Sequence, residues 1–536
     1  MVGRLLLAVA AGLALTAAFE PIAVPYLVPL AVAAFVLSVR GLTFWRSGAV
    51  ALVFGVAFYF THIYWMKQSI GTDAWIALSA AEALFYGAVG LTVPVVRRLP
   101  GWPVWLAAIW TTSEGIRATW PFSGMPWGRL SFAMIDTPVA PAVAYVGMTG
   151  LSFLLALTGM LLAAAAETWL PPVAGGDDAG GAGGGARRRT RSVALGGVLA
   201  ILALLLVPAV APFQAHESGS AVVAAVQGNI PDPANDILAH YRQVTRNHVD
   251  ATVRLARQGG PRPDFVLWPE NSTAVDPFTD VETNAGIRRA VAAIGVPVVV
   301  GGLVDDGPDH VLNQGIVWDP VTGPGDRYTK HHPVAYGEYI PLRRYWDPNF
   351  GALRAIGRDM ESGTRTSPLR VAGIDVADAI CFDVAYDDVM RDQVAEGAEL
   401  LTVQTSNASF IFTDQVEQQF AITRLRAIES GRWLVVAAVN GITGVVAPDG
   451  TVVASADPRT QAVIVERVGL STDLTPATRL GPWPSRVLTG LSVLVLAVGA
   501  IAYRRRQEDP GPARVPDAPA APETPPDRSE APVARR

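Results

Sequence analysis

The run Gly373-Ile374-Asp375-Val376-Ala377-Asp378-Ala379-Ile380 has the apolar pattern of a β-strand, and it ends at Ile380-Cys381-Phe382-Asp383. A helix-like run opens a few residues later, near Tyr386-Asp387-Asp388. Such a junction of strand and helix is where α/β folds expose a nucleophile. Cys381 is the one cysteine among 536 residues, so no intramolecular disulfide can form. The alternative is that Cys381 is a small buried hydrophobic residue, and the choice depends on the rest of the chain.

The chain around this junction divides by composition. Half of its residues are hydrophobic and 17% are charged, which favours a membrane protein over a cytosolic one. The net charge of −5 is too small to indicate a nucleic-acid partner. Apolar runs crowd the first part of the chain, whereas the part that carries Cys381 resembles a soluble α/β domain. The predicted division is seven transmembrane helices in 1–212, an extracytoplasmic catalytic domain at 213–480, an eighth helix at 481–506 and a tail at 507–536.

Eight apolar stretches approach the length of about 20 residues that a membrane-spanning helix needs. The first is short, and an apolar run directly after Arg4 also fits a secretory signal peptide. That alternative leaves the later segments unchanged. The stretches are 5–19, 22–39, 48–66, 73–96, 102–119, 141–167, 193–212 and 485–503.

Five arginine clusters fall on one side of an eight-span count, and the alternate loops at 20–21, 67–72 and 120–140 are poorer in charge. Because positive residues stay on the cytoplasmic side, both termini are predicted to be cytoplasmic and the domain at 213–480 to lie outside the cytoplasm. The glycine-rich linker at 175–185 and the tail at 507–536 are predicted to be disordered. The arginines are Arg4, Arg40, Arg46, Arg97, Arg98, Arg187, Arg188, Arg189, Arg191, Arg504, Arg505 and Arg506.

One external loop, at 120–127, holds two tryptophans and a phenylalanine. These rings indicate either an ordinary aromatic belt at the membrane surface or a lipid-facing wall beside an active site. Just before this loop, Glu114 and Arg117 are three residues apart on a predicted helix, so they are placed to pair with each other.

Three polar residues follow strand-like runs, where side chains from neighbouring strands can meet in a cleft. Glu270 ends the run Val266-Leu267-Trp268-Pro269, Lys330 follows Asp326-Arg327-Tyr328-Thr329, and Cys381 is the third. Taken singly, Glu270 also fits a neighbour of a helix N-cap and Lys330 a solvated surface group. Together they fit one chemistry.

A thiol with a pKa of about 8.5 is mostly protonated at neutral pH, so an efficient cysteine nucleophile needs a base and a nearby cation. Glu270 would accept the thiol proton. Lys330 and the backbone N–H of Phe382 would hold the oxyanion of a tetrahedral intermediate. The sequence therefore predicts an acyl-transfer site that uses no cofactor and no metal. His331 and His332 are adjacent, not spaced as ligands on one helix face, and fit neighbouring surface histidines better.

The order strand–Glu270, then Tyr328-Thr329-Lys330, then strand–Cys381 resembles the nitrilase (carbon–nitrogen hydrolase) superfamily, which uses a Glu-Lys-Cys triad on an α-β-β-α sandwich. With eight predicted spans around such a domain, the chain is similar to the apolipoprotein N-acyltransferase family. Four segments carry this resemblance: Gln227-Gly228-Asn229-Ile230-Pro231, Leu267-Trp268-Pro269-Glu270, Tyr328-Thr329-Lys330-His331-His332 and Gly337-Glu338-Tyr339-Ile340-Pro341-Leu342.

The resemblance implies that Cys381 takes an acyl chain from a membrane phospholipid as a thioester. The chain then passes to the α-amine of a diacylglyceryl-cysteine at the N-terminus of an apolipoprotein. By motif position, Glu338 is a second glutamate that assists the lysine or the cysteine, or else forms a structural salt bridge. Phe382 and Asp383 are expected to support the site, although Phe382 lacks a hydroxyl and Asp383 is shorter than the glutamate common in the family. The enzyme is expected to act as a monomer.

Aminolysis of a thioester outcompetes hydrolysis only where water is excluded, which predicts an apolar, gated cleft built from loops such as 345–357. Two other readings remain open. A membrane-anchored amidase of the nitrilase type would release the acyl group to water, but it needs no eight-span body. A transporter or receptor with an external ligand-binding domain would explain the spans but not the triad.

Overall fold

The computed structural model describes residues 1–171, 184–231, 240–348 and 351–508. Most of the linker and tail predicted to be disordered lies outside the described residues. The few exceptions, 184–185 and 507–508, are helical. The helices are α1 Val2–Thr16, α2 Leu27–Val39, α3 Phe44–His62, α4 Trp65–Ser69, α5 Thr72–Val96, α6 Trp102–Arg117, α7 Val143–Glu167, α8 Gly184–Val210, α9 Tyr241–Gln258, α10 Val281–Ile294, α11 Asp387–Ala395, α12 Gln415–Ser430, α13 Pro476–Leu480 and α14 Trp483–Glu508.

Each of the eight apolar stretches overlaps at least one of these helices. By length and composition, five helices of the described residues can cross a membrane: 44–62, 72–96, 140–167, 185–210 and 483–505. Helices α1 and α2 are apolar but shorter. Small residues allow α1 and α5 to pack closely on α3. A Cβ at Gly12 would lie 2.6 Å from the carbonyl oxygen of Phe54, and one at Gly90 would lie 2.2 Å from Cβ of Ala51.

Arg117 does not pair with Glu114, so that prediction was wrong. Its guanidinium lies 3.2 Å from Glu82 of α5. Glu114 instead accepts hydrogen bonds from Trp110 Nε1 and from the backbone N–H of Leu130, both at 3.1 Å. The sequence spacing along one helix could not show that a carboxylate from a neighbouring helix competes for the arginine.

The rest of the described chain forms two sheets. The first has the order β13-β1-β2-β3-β4-β5, with β6 paired to β4, and the second has the order β12-β11-β10-β9-β8-β7. The strands are β1 Gly219–Gln227, β2 Phe265–Leu267, β3 Val298–Asp306, β4 His310–Asp319, β5 Gly323–Thr329, β6 Asp359–Met360, β7 Leu369–Val371, β8 Ile374–Ile380, β9 Leu400–Thr405, β10 Leu434–Ala438, β11 Gly444–Val446, β12 Val452–Ser455 and β13 Ala462–Leu470.

Successive side chains of β1 belong alternately to two different hydrophobic cores, which shows how the layers of the domain are arranged. Val223 and Ala225 join a large core that contains the buried residues of the second sheet. Ala224 and Val226 belong to a separate core with residues of α9 and α10. Successive side chains of a strand point to opposite faces, so one face of the first sheet packs on the second sheet and the other on helices. On the far side of the second sheet, α11 packs against β8, which completes α-β-β-α layers.

Both sheets have parallel strands at their centres: β1, β2 and β3 in the first, and β8, β9 and β10 in the second. Parallel strands end at the same edge of a sheet, where α/β proteins place their sites. Glu270 lies just beyond β2, Cys381 directly follows β8, and Lys330 directly follows β5. In this fold, the three residues predicted to form the site, Glu270, Lys330 and Cys381, therefore all lie just after the ends of strands.

Candidate active site

Cys381 is the first residue of a short 3₁₀ turn, Cys381–Ala385, that begins where β8 ends. Its φ is +55°, a conformation that is uncommon for residues other than glycine and is often found at functional sites. The residue is 6% exposed. The hydroxyl of Thr405, at the end of the neighbouring strand β9, hydrogen-bonds the thiol. Sequence reasoning missed Thr405, because a threonine that ends an apolar strand carries no chemical signature of its own.

Lys330 is fully buried between two carboxylates. Its Nζ lies 2.6 Å from Oε1 of Glu338 and 3.6 Å from Oε1 of Glu270. The second oxygen of Glu338 accepts a hydrogen bond from the backbone N–H of Val334 at 2.8 Å. The structure thus brings together Glu270, Lys330 and Glu338, which are spread over nearly seventy residues of the sequence.

Glu270 is held by two further groups. Asn313 Nδ2 donates to Glu270 Oε1 at 2.8 Å, and the backbone N–H of Ser406 donates to Oε2 at 2.9 Å. Asn313 lies on β4, and its backbone carbonyl accepts a hydrogen bond from the backbone N–H of Lys330 at 2.8 Å. One residue therefore positions both the carboxylate and the lysine. Asn313 could not be singled out from the sequence, since a single polar residue inside a strand usually lies on the protein surface.

Electrostatics keep the resting thiol protonated. Burial raises the pKa of Cys381 well above its usual value, and the Glu270 carboxylate raises it further, while Lys330 acts in the opposite direction. Burial alone would lower the pKa of Lys330, but Glu338 and Glu270 reverse this and hold that pKa well above its usual value. With one buried cation against two buried carboxylates, a thiolate would add a second net negative charge, so attack by sulfur requires transfer of its proton.

Asp383 is buried and acts as an anchor within the site. Its Oδ2 accepts from the hydroxyl of Tyr328 at 2.8 Å and from the N–H of Ile380 at 3.3 Å. Its oxygens also accept from the backbone N–H groups of His331 at 3.3 Å and of His332 at 3.0 Å. This carboxylate therefore ties the turn that carries Cys381 to the segment that carries Lys330.

Phe382 supports the site by packing. Its ring centroid lies 4.7 Å from that of Trp127, 6.2 Å from that of Trp65 and 5.9 Å from that of Phe410. A phenylalanine suits this position because the surrounding rings offer apolar contact. In the 120–127 loop, Trp127 lies beside the turn that carries Cys381, whereas Trp120 is exposed.

His331, His332 and Asp388 lie within 4.8 Å of one another, measured between potential ligand atoms. Nε2 of His332 is 3.0 Å from both oxygens of Asp388, and its ring stacks on Tyr386 with centroids 3.8 Å apart. Adjacency of the two histidines did not reveal this cluster, because the carboxylate comes from α11. His332 and Asp388 therefore form a hydrogen-bonded pair near Tyr386.

Comparison with known families divides the chain into two parts. Residues 11–161 match the model of the apolipoprotein N-acyltransferase N-terminal domain. Residues 222–472 match the carbon–nitrogen hydrolase model, which confirms the expected nitrilase-like fold of the part that holds Glu270, Lys330 and Cys381.

Curated relatives match over nearly the whole chain. An apolipoprotein N-acyltransferase of Mycolicibacterium smegmatis is 37% identical over 516 residues, covering 92% of this chain and 84% of that protein. One of Shewanella oneidensis is 26% identical, covering 94% of this chain and 96% of that protein. A solved structure, a mutant of the Nesterenkonia AN1 amidase from the nitrilase superfamily, is 18% identical with a TM-score of 0.36, over 49% of this chain and 95% of that one.

Proposed function

The chain belongs to the apolipoprotein N-acyltransferase family, and from the geometry of its site we propose that Cys381, Glu270 and Lys330 carry the reaction as a ping-pong acyl transfer. The protein is an acyltransferase that acts in lipoprotein N-acylation, as the sequence predicted. The single observation that carries the proposed mechanism is the buried cluster in which Lys330 lies between Glu270 and Glu338, with the thiol of Cys381, whose pKa is raised by burial and by Glu270, as the third member.

In the first half-reaction, the thiol of Cys381 attacks the ester carbonyl of a phospholipid while Glu270 takes the thiol proton. The C–S bond forms, and the negative charge moves to the carbonyl oxygen, where Lys330 Nζ and the N–H of Phe382 stabilise it. That N–H lies in the first turn of a 3₁₀ helix, where backbone donors have no acceptor within the helix. Collapse breaks the ester C–O bond, the proton on Glu270 passes to the leaving oxygen, and lysophospholipid departs.

In the second half-reaction, the neutral α-amine of the diacylglyceryl-cysteine attacks the thioester. Glu270 takes a proton from the nitrogen as the C–N bond forms. Collapse breaks the C–S bond, and the thiolate receives the proton back from Glu270, which restores the resting site. Because the surroundings of Cys381 disfavour a thiolate, the returned proton makes sulfur a competent leaving group.

Placement at the membrane surface fits two lipid-anchored substrates. We take 1–212 as a body of seven spans, 213–480 as an extracytoplasmic catalytic domain, 481–506 as the eighth span and 507–536 as a cytoplasmic tail, in a protein that works as a monomer. Packing supports the placement of the domain beside the helices: Trp65, which opens α4, and Trp127, between α6 and α7, contact Phe382, the residue after Cys381.

We take exposed apolar residues of the segments that follow Glu338 and Phe410 as a lipid-facing entrance to the site. Leu342, Tyr345 and Trp346 are 62%, 73% and 48% exposed, and Phe412 is 60% exposed. Such a patch on a soluble surface would be unfavourable, whereas beside an outer leaflet it gives a path for acyl chains that excludes water. A membrane-anchored amidase would need no such entrance, and the family membership does not favour it.

The test is to incubate the purified enzyme with phospholipid and measure its intact mass. We expect an acyl adduct that Cys381→Ala lacks and that a diacylated lipopeptide removes with formation of the triacylated product. An equal adduct in Cys381→Ala would refute the thioester mechanism. An adduct released only to water would favour the amidase.

A further inference from the structure

The catalytic turn is braced by residues outside the catalytic domain's own sheet. Phe382, directly after the nucleophile, packs on Trp127 and Trp65. Both tryptophans belong to segments between apolar helices: Trp65 opens α4, and Trp127 lies between α6 and α7. They are 2% and 1% exposed. Their rings therefore form an interior wall against which the residue after Cys381 is fixed.

One side chain satisfies both indole groups of that wall. Gln418 Oε1 accepts from Trp127 Nε1 at 2.8 Å and from Trp65 Nε1 at 3.1 Å. Its Nε2 donates to the carbonyl of Glu20, in the segment between α1 and α2, at 2.9 Å. Gln418 lies on α12 of the catalytic domain and is 6% exposed. We call Trp65, Trp127 and Gln418 the indole clamp.

We propose that Gln418 is a positioning residue for acyl transfer, which acts through the indole clamp to hold Phe382 and hence the backbone N–H proposed to stabilise the oxyanion. The inference rests on the proposed Cys381 mechanism. An amide is suited to this place because its oxygen accepts two hydrogen bonds while its nitrogen donates, whereas a carboxylate would face the Glu20 carbonyl without a proton to donate.

A positioning role makes a prediction that a role in general packing does not. Stabilising an oxyanion matters for thioester formation, but alkylation of a thiol by iodoacetamide forms no oxyanion. Loss of the clamp should therefore slow acylation of Cys381 and leave its alkylation nearly unchanged. If Gln418 only filled space, acylation would be unaffected; if its loss displaced the thiol, both reactions would slow together.

The experiment compares the full-length enzyme with Gln418→Met, Trp127→Phe and the double variant. We expect Gln418→Met to slow single-turnover acylation by at least about tenfold, with alkylation within about twofold of wild type. Because Trp127→Phe removes one of the same hydrogen bonds, the double variant should be less impaired than the product of the two single effects. Trp127→Phe also keeps the test decisive if Gln418→Met fails to fold.

Trp318→Phe is the matched control. Trp318 is a buried tryptophan of the first sheet, and its Nε1 has no hydrogen-bond partner within the described part of the chain. We expect its acylation rate to stay within about twofold of wild type. Normal acylation in Gln418→Met, parallel loss of acylation and alkylation, or fully multiplicative effects would each overturn the clamp. Absence of any Cys381 adduct in the wild type would instead overturn the proposed mechanism, and the clamp with it.

Discussion

At the scale of single residues, the charge on Glu338 affects both the cation and the nucleophile. Its carboxylate is the closer of the two that hold Lys330, and it also raises the pKa of Cys381. We expect Glu338→Gln to lower the pKa of the thiol, because one negative charge that opposes the thiolate is removed. Alkylation of Cys381 by iodoacetamide should then reach its half-maximal rate at lower pH than in the wild type.

Acylation in the same variant should fall by at least about tenfold, because Lys330 loses the group that fixes it beside the oxyanion. Glu361→Gln is the control, since Glu361 is a half-exposed glutamate paired with His310 away from the lysine. An alkylation profile that moves to higher pH would contradict the electrostatic role assigned to Glu338.

The residues proposed to carry the chemistry could be named from the sequence, whereas most of the contacts that hold them in place could not. Glu270, Lys330 and Cys381 follow strand-like runs, and their types suit one reaction. Asp383 was expected to support the site, but its role as an anchor depends on Tyr328 and two backbone N–H groups more than fifty positions away. Such contacts arise from the packing of two sheets, which local pattern does not encode.

Asp378 should make stability depend on pH. This carboxyl is fully buried on β8; Thr402 donates to one oxygen at 2.9 Å, and the other oxygen has no partner among the described residues. Burial raises the pKa of Asp378 to about 8 from the usual 3.8. Between these pH values the folded protein holds a proton that the unfolded chain has lost, so stability falls as pH rises through this window.

Asp378→Asn should remove this slope. Over the window the wild type should lose up to about 5 kcal/mol relative to the variant, because one unit of pKa corresponds to about 1.4 kcal/mol. Melting temperatures of both proteins in detergent, measured from pH 4 to pH 8, check the difference. A wild type that gains stability relative to Asp378→Asn as the pH rises would show that the carboxyl is ionised in the fold.

At the scale of elements, the apolar strand that leads to Cys381 was predicted, whereas a long strand with polar residues was missed. The strand-like run at 373–380 corresponds to β8, Ile374–Ile380, within one residue at each end. The long strand β4 was not predicted, because buried Asn313 and Gln314 interrupt its apolar pattern. The Asn313 side chain donates to Glu270, so the polar residue that hides the strand is one that builds the site.

The backbone of Pro269 and Glu270 lies so close to Gly301 of β3 that no larger residue fits at this position. A Cβ at Gly301 would lie 2.2 Å from the carbonyl oxygen of Pro269 and 2.8 Å from Cα of Glu270. We expect Gly301→Ala to displace Glu270, slow acylation by at least about tenfold and destabilise the domain by about 1–3 kcal/mol. Gly325→Ala on β5 is the control, since a Cβ there meets nothing closer than 3.9 Å. Equal acylation by both variants would refute this requirement.

At the scale of the whole molecule, the two sides of the helical body differ in what their loops contact. On one side, Trp65 and Trp127 meet Gln418 of the catalytic domain. On the other, arginines contact the ends of the apolar helices: Arg4 donates to the carbonyl of Ser38 at 3.1 Å, and Arg97 pairs with Glu167. The side that holds the domain is thus the side without the arginine clusters, as expected if the domain lies outside the cytoplasm.

The single native cysteine makes this topology directly testable. In a Cys381→Ala background, Val321→Cys places a thiol on an 89% exposed turn of the catalytic domain, and Thr43→Cys places one in the exposed loop between α2 and α3, beside Arg40 and Arg46. A membrane-impermeant maleimide applied to spheroplasts should label the thiol at 321 and spare the one at 43. Permeabilisation should make both reactive, which controls for accessibility. Labelling at 43 before permeabilisation would show that the orientation is the reverse of the one proposed. Cys381 of the native enzyme would then face the cytoplasm rather than the leaflet in which diacylated lipoproteins are proposed to present their amines.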